Sequence, residues 1–82
     1  MAKMSIIYQI NLDQEMIDQV SEILKDQYDA KDVKIVEIGF GIRALQVLFI
    51  LDEGYSIDEL EMKLGEIEGV SSVQVVGMNR LG

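Results

Sequence analysis

Cysteine and histidine are both absent from the 82 residues. Without cysteine there is no disulfide, no thiolate nucleophile and no zinc–thiolate site. Without histidine the commonest general base and transition-metal ligand is gone as well, which leaves carboxylates, Lys, Tyr and Ser for chemistry. Long apolar runs are missing too. The longest, Val47 to Leu51, falls far short of the ~20 residues that span a bilayer. Met1 to Ile10 enters a strand-like alternation instead of a signal peptide, so the expected setting is the cytoplasm, with no membrane. Positive charge is scarce: Lys and Arg number 7 against 15 Asp and Glu, a net charge of −8. Nucleic-acid binding needs cations to neutralise phosphates and is not expected. The balance fits a basic protein surface as partner, or solubility alone. Proline is also absent, a roughly one-in-seventy event at average usage that raises the question of an engineered chain.

What is present fits one small domain over residues 1–82. A chain this short buries roughly 60–65% of its unfolded surface, so the core must be continuous; 49% hydrophobic residues suffice for that. Ile6, Tyr8, Ile10 and Leu12 alternate with polar neighbours over Ser5 to Leu12, the period of a half-buried strand. Asp13 stands as a helix N-cap, and Met16, Ile17, Val20, Ile23, Leu24 and Tyr28 recur at helical spacing. Val33 to Ile38 forms a second strand after a polar turn at 29–32. A third runs from Arg43 to Leu51 with apolar residues on both parities, the mark of a central strand. Asp52 to Tyr55 is a turn, and Ser56 with Glu59 forms a capping box. Ile57, Leu60, Leu64 and Ile67 trace a second helical face with Met62 opposite it. Gly69 caps that helix, Val70 to Val76 is the last strand, and 77–82 is a tail. The order βαββαβ predicts an α+β, ferredoxin-like plait: a four-stranded antiparallel sheet, first and third strands central, two helices on one face. The open face would carry Ile7, Leu48 and Ile50 among Gln9 and Gln46, more apolar than a solvated face requires.

Few constellations carry chemistry. Asp52, Glu53, Asp58, Glu59 and Glu61 gather near the second helix start, but no loop spacing converges their oxygens on a hard cation, and helix-start electrostatics explains them. No metal and no cofactor are expected. Gly39-Phe40-Gly41 lacks the spacing and the following helix of a phosphate cradle. Two readings of Phe40 stand: a turn residue covering one end of the core, or an aromatic presented to a partner. Arg43 reads as a solvated strand-edge charge. Arg80, before the apolar Leu81, is either a cation on a frayed terminus or one placed to reach into a partner.

The run Glu37-Ile-Gly-Phe-Gly-Ile-Arg-Ala-Leu-Gln-Val, then Ile67-Glu-Gly-Val-Ser-Ser-Val-Gln-Val-Val and a basic-Leu ending, resembles the exchange domain of translation elongation factor 1-beta in its short archaeal form. The resemblance is close over roughly residues 31–81. It implies guanine nucleotide exchange on the GTPase elongation factor 1-alpha, a non-covalent activity without catalytic residues. It implies that Phe40, held by Gly39 and Gly41, docks on the GTPase with Arg43 beside it. It also implies that Arg80, followed by Leu81, enters the magnesium and phosphate region. A homo-oligomer is not expected. The chain departs from the family in having Glu37 in place of a usual proline, a shorter loop after the first strand, and Gly82 beyond the usual end.

Two other classes share the architecture. One is a small-ligand-sensing or self-associating ferredoxin-like module without exchange activity, or an engineered scaffold of that kind, motivated by the apolar open face. The other is an acylphosphatase-like enzyme, which would need a phosphate-binding arginine after the first strand; none is there.

Overall fold

Alternation along Lys3–Leu12 makes strand β1, in which Ile6, Tyr8, Ile10 and Leu12 are buried and the intervening side chains are not. The computed structural model describes residues 3–52 and 54–81, apart from the side chain of Leu81. Met1, Ala2, Glu53 and Gly82 lie outside the described residues, and with them Glu53's place in the acidic turn and the Gly82 extension. After β1 come a single 3-10 turn at Gln14–Met16, helix α1 at Ile17–Gln27, strands β2 at Asp32–Gly39 and β3 at Ile42–Asp52, helix α2 at Ile57–Gly65, and strand β4 at Val70–Leu81.

The strands form one antiparallel sheet in the order β2-β3-β1-β4. This is the ferredoxin-like plait, with β1 and β3 central. Ile17, Val20 and Leu24 of α1 and Leu60 and Leu64 of α2 join Ile6, Tyr8, Ile10, Leu45, Val47 and Phe49 of the sheet in one core. That places both helices on one face. On the other face Ile7, Gln46, Leu48 and Ile50 are half-buried. Met62 is exposed, as its position opposite the apolar stripe predicts.

Three local expectations are corrected. Asp13 makes no side-chain capping bond. Its N–H instead donates to the Gly69 carbonyl at 2.8 Å, and the Met16 N–H donates to the Asp13 carbonyl at 3.0 Å. The chain is thereby tied to the turn before β4 and enters α1 through a 3-10 turn. Gly69 does not cap α2, which ends four residues earlier at Gly65. Gly69 sits in the tight turn closed by the Val70 N–H on the Ile67 carbonyl at 3.1 Å, at φ +93°, where the third turn position requires positive φ. Ser56 keeps its capping role, its hydroxyl accepting the Glu59 N–H at 3.3 Å.

The third correction matters most for function. β4 does not stop at Val76 but pairs with β1 as far as Lys3↔Leu81. Gly77 looks like a strand end in the sequence because glycine weakens strands. Here it lies opposite Ile7, whose side chain comes within 3.6 Å of where a Cβ would stand. A Cβ there would meet Ile7 only in ordinary contact, and a register shift beside the glycine lets the ladder continue.

Tyr8 is the largest fully buried side chain and meets Phe49 edge to face, with ring centroids 6.0 Å apart. Its hydroxyl has no hydrogen-bond partner. Burial, with the Glu61 and Asp58 carboxylates and Tyr55 adding to it, pushes the phenol up to about 12.

Two outcomes follow from this packing. An alanine at 69 brings a side chain to a left-handed φ and a Cβ within 2.6 Å of Met16 Sδ. Gly69→Ala therefore lowers the unfolding free energy by about 1–3 kcal/mol in urea titrations. The folded Tyr8 phenol keeps its proton to about 12, whereas the unfolded one releases it near 10. The folded state therefore binds more protons in that window, and stability falls as pH rises through it. Tyr8→Phe flattens that alkaline decline in unfolding curves collected from pH 9 upward. At neutral pH it costs little, because no hydrogen bond is lost.

Candidate partner-binding site

The hairpin between β2 and β3 closes at Gly39↔Ile42, so its loop is only Phe40-Gly41. Both residues have positive φ, 54° and 75°, the signature of a type I′ turn. That turn matches the twist of its strands and prefers Asn-Gly. An aromatic at its first central position is held left-handed at a cost of roughly 1–2 kcal/mol. Gly39, at φ +126°, supplies a third consecutive positive φ, and a register shift between Glu37 and Gly39 leaves Ile38 outside the regular pairing. The result is a Phe40 side chain fully in solvent, 104% exposed. Of its two readings, core cover is thus overturned. Ile35, Ile38 and Ile42 are each about half exposed nearby. A strained aromatic thus stands in solvent among half-exposed isoleucines, an apolar patch at the end of the hairpin.

Arg43 follows on β3 and lies opposite Glu37 of β2. It is exposed, on the stretch of β3 that lies beyond its pairing with β1, in keeping with a solvated charge at a strand edge. Position 37 is on the edge strand β2, where a proline would interrupt no interior ladder. Glu37 leaves the pairing intact, in register with Arg43 across the ladder.

Arg80 and Leu81 occupy the end of β4, opposite Met4 and Lys3 of β1, and Lys3 in turn faces Asp52 at the far end of β3. Arg80 is exposed, and so are Val76 and Met78 before it. The structure therefore groups Gly39, Phe40, Gly41 and Arg43 at one corner of the sheet, and Arg80 with Leu81 at the diagonally opposite one. Nine residues of β3 separate the two ends, about 30 Å at ~3.3 Å per residue, in a molecule 41 Å long. Phe40 and Arg80 cannot meet the same spot on a partner.

Other surfaces offer less. Among the described residues no group of three or more acidic side chains is arranged to hold a metal ion. On the open sheet face Ile7, Asp32, Lys34, Gln46 and Leu48 line a depression of about 140 Å³, below the several hundred Å³ of a typical ligand pocket. No helix of the described residues is long and apolar enough to cross a membrane.

Residues 9–81 match the family described as the EF-1 guanine nucleotide exchange domain. The chain belongs to this family. Elongation factor 1-beta of Pyrococcus horikoshii is 35% identical over 74 residues, covering 88% of this chain and 80% of that protein. The protein of the same name from Pyrobaculum arsenaticum is 35% identical over 75 residues, covering 89% and 80%. That of Caldivirga maquilingensis is 28% identical over 99% of this chain and 98% of its own length. The exchange-domain match spans both corners, Phe40 and Arg80 included.

Sequence reasoning gave Ile35, Ile38 and Ile42 no site role, although Ile38 and Ile42 flank the glycines. It also passed over Gln14, whose side chain bonds the backbone of Arg43 and which carries no signal in a helix-start pattern. The strain at position 40 has a measurable consequence. Phe40→Asn restores the preferred type I′ pair and raises the unfolding free energy by about 0.5–1.5 kcal/mol in denaturant titrations.

Proposed function

We propose that this protein is a guanine nucleotide exchange factor that promotes GDP release from the GTPase elongation factor 1-alpha in the cytoplasm. The observation that carries the reading is the exchange-domain match over residues 9–81, which includes a fully exposed Phe40 and an Arg80 presented on an ordered strand. The two corners lie about 30 Å apart, a span suited to a protein partner and beyond any small ligand.

The mechanism needs no bond-making group, in keeping with a chain that has neither His nor Cys. A GTPase holds its nucleotide through a magnesium ion and charge-assisted hydrogen bonds to the phosphates. In our reading the Arg80 guanidinium competes electrostatically at that position, with Leu81 following it in the chain. Because β4 is hydrogen-bonded to β1 up to Leu81, the cation arrives on a supported strand, and little entropy is lost in ordering it. Phe40 anchors the other contact as a buried aromatic hot spot, with Gly39 and Gly41 shaping its turn and Arg43 at its base. The factor binds the nucleotide-free GTPase better than the loaded one. By linkage, nucleotide weakens factor binding in the same proportion.

The experiment is release of fluorescent GDP from elongation factor 1-alpha with increasing factor. The wild type accelerates release. Phe40→Ala raises the half-saturating concentration about 30-fold or more, the loss of a typical hot spot. Arg80→Ala lowers the saturating rate about tenfold or more with a smaller change in half-saturation. A wild-type protein that leaves the release rate unchanged overturns the proposal.

A further inference from the structure

We infer that Gln14 is a positioning residue for the Phe40 turn. The inference rests on the reading of Phe40 as the docking aromatic. Pairing between β1 and β3 reaches Ile10↔Leu45 and goes no further, because beyond that point β1 pairs only with β4, through Asn11 and Leu12. The start of β3, with β2 and the turn, thus projects past the strand that anchors it. A two-stranded ribbon alone is marginally stable in water.

Gln14 fills the gap. Its Nε2 donates to the Arg43 carbonyl at 2.8 Å, and its Oε1 accepts the Arg43 N–H at 2.9 Å. A primary amide carries the same donor and acceptor as a peptide group, so one side chain continues the ladder where the strand has turned away. The second Nε2 hydrogen reaches the Leu12 carbonyl at 3.2 Å, fixing the amide's orientation from its own side. The backbone beneath is held in turn, since the neighbouring Asp13 N–H is bonded to the Gly69 carbonyl. A line of hydrogen bonds runs from the turn before β4, through Asp13 and Gln14, to Arg43, two residues from the Phe40-Gly41 loop. Gln14 itself is solvent-exposed, so these bonds add modestly to global stability. What they supply is direction, a fixed exit angle for the hairpin that lowers the ordering cost when Phe40 docks.

Carbonyl acceptors face Nε2 on both sides, so the amide is required and a carboxylate is not a substitute. Gln14→Glu keeps an acceptor for the Arg43 N–H but sets an oxygen against the Arg43 and Leu12 carbonyls. It should behave like Gln14→Ala.

The test combines amide hydrogen exchange on the full chain with a double-mutant cycle in GDP release from elongation factor 1-alpha. In Gln14→Ala and Gln14→Glu the Arg43 amide exchanges about tenfold faster, while Tyr8 and Val47 keep their protection. Both variants raise the half-saturating concentration about five- to tenfold and leave the saturating rate unchanged. In the Phe40→Ala background Gln14→Ala adds nothing further, since its effect passes through Phe40. Unchanged Arg43 protection, or effects of the two substitutions that multiply, overturns the inference. A loss on Phe40→Ala with none on Gln14→Ala overturns the positioning role alone. No loss on Phe40→Ala sinks the docking reading and the inference with it.

Discussion

The β1–β3 pairing is the constraint on which the rest of the molecule depends. Ile6, Tyr8 and Ile10 stand beside Phe49, Val47 and Leu45 in antiparallel register, and all six are buried. A slip of one residue would turn one strand's apolar set to the open face and leave the helices half a core to cover. The same register also fixes what happens at the edges. Through β3 it sets where the β2–β3 hairpin emerges, and through β1 it carries β4 to its end at Leu81. One central ladder therefore determines the separation of two corners that it does not itself contain.

The corners are built in different ways. At one, backbone strain holds an aromatic in water: Phe40 occupies a left-handed site that an asparagine would fill more comfortably. That strain is offset by support from outside the hairpin, through the Gln14 amide and the Asp13–Gly69 bond behind it. At the other, no unusual conformation is needed. Arg80 is carried by strand pairing that continues from Gly77, opposite Ile7, to Leu81. Strain at the turn and regularity at the strand end suit the roles proposed for them, one to be gripped and one to intrude.

Much of this was legible in the residues. Period-2 alternation in β1, the doubly apolar β3 and the helical faces of Val20–Leu24 and Leu60–Leu64 each report burial, and burial decided the strand order. The flanking glycines marked Phe40 as a poor core residue but left core cover and exposure both open, and the structure decided for exposure. The extent of β4 was not, because Gly77 carries the same signal as a strand end unless its neighbour Ile7 across the ladder is known. The roles of Asp13 and Gln14 were hidden for a similar reason. Their partners, Gly69 and Arg43, lie far away in sequence, and a residue that substitutes for a missing strand leaves no periodicity. Local propensity speaks for elements, whereas the site depends on contacts between their ends.

The central claim is that one protein partner engages both diagonal corners of a rigid sheet at once, and backbone amide shifts during titration with nucleotide-free elongation factor 1-alpha test it most directly. The account expects Gly39 to Ile42 and Met78 to Leu81 to respond together, at the same stoichiometry, with the open face around Leu48 and Ile50 quiet. A response confined to one corner, or centred on that open face, would contradict it.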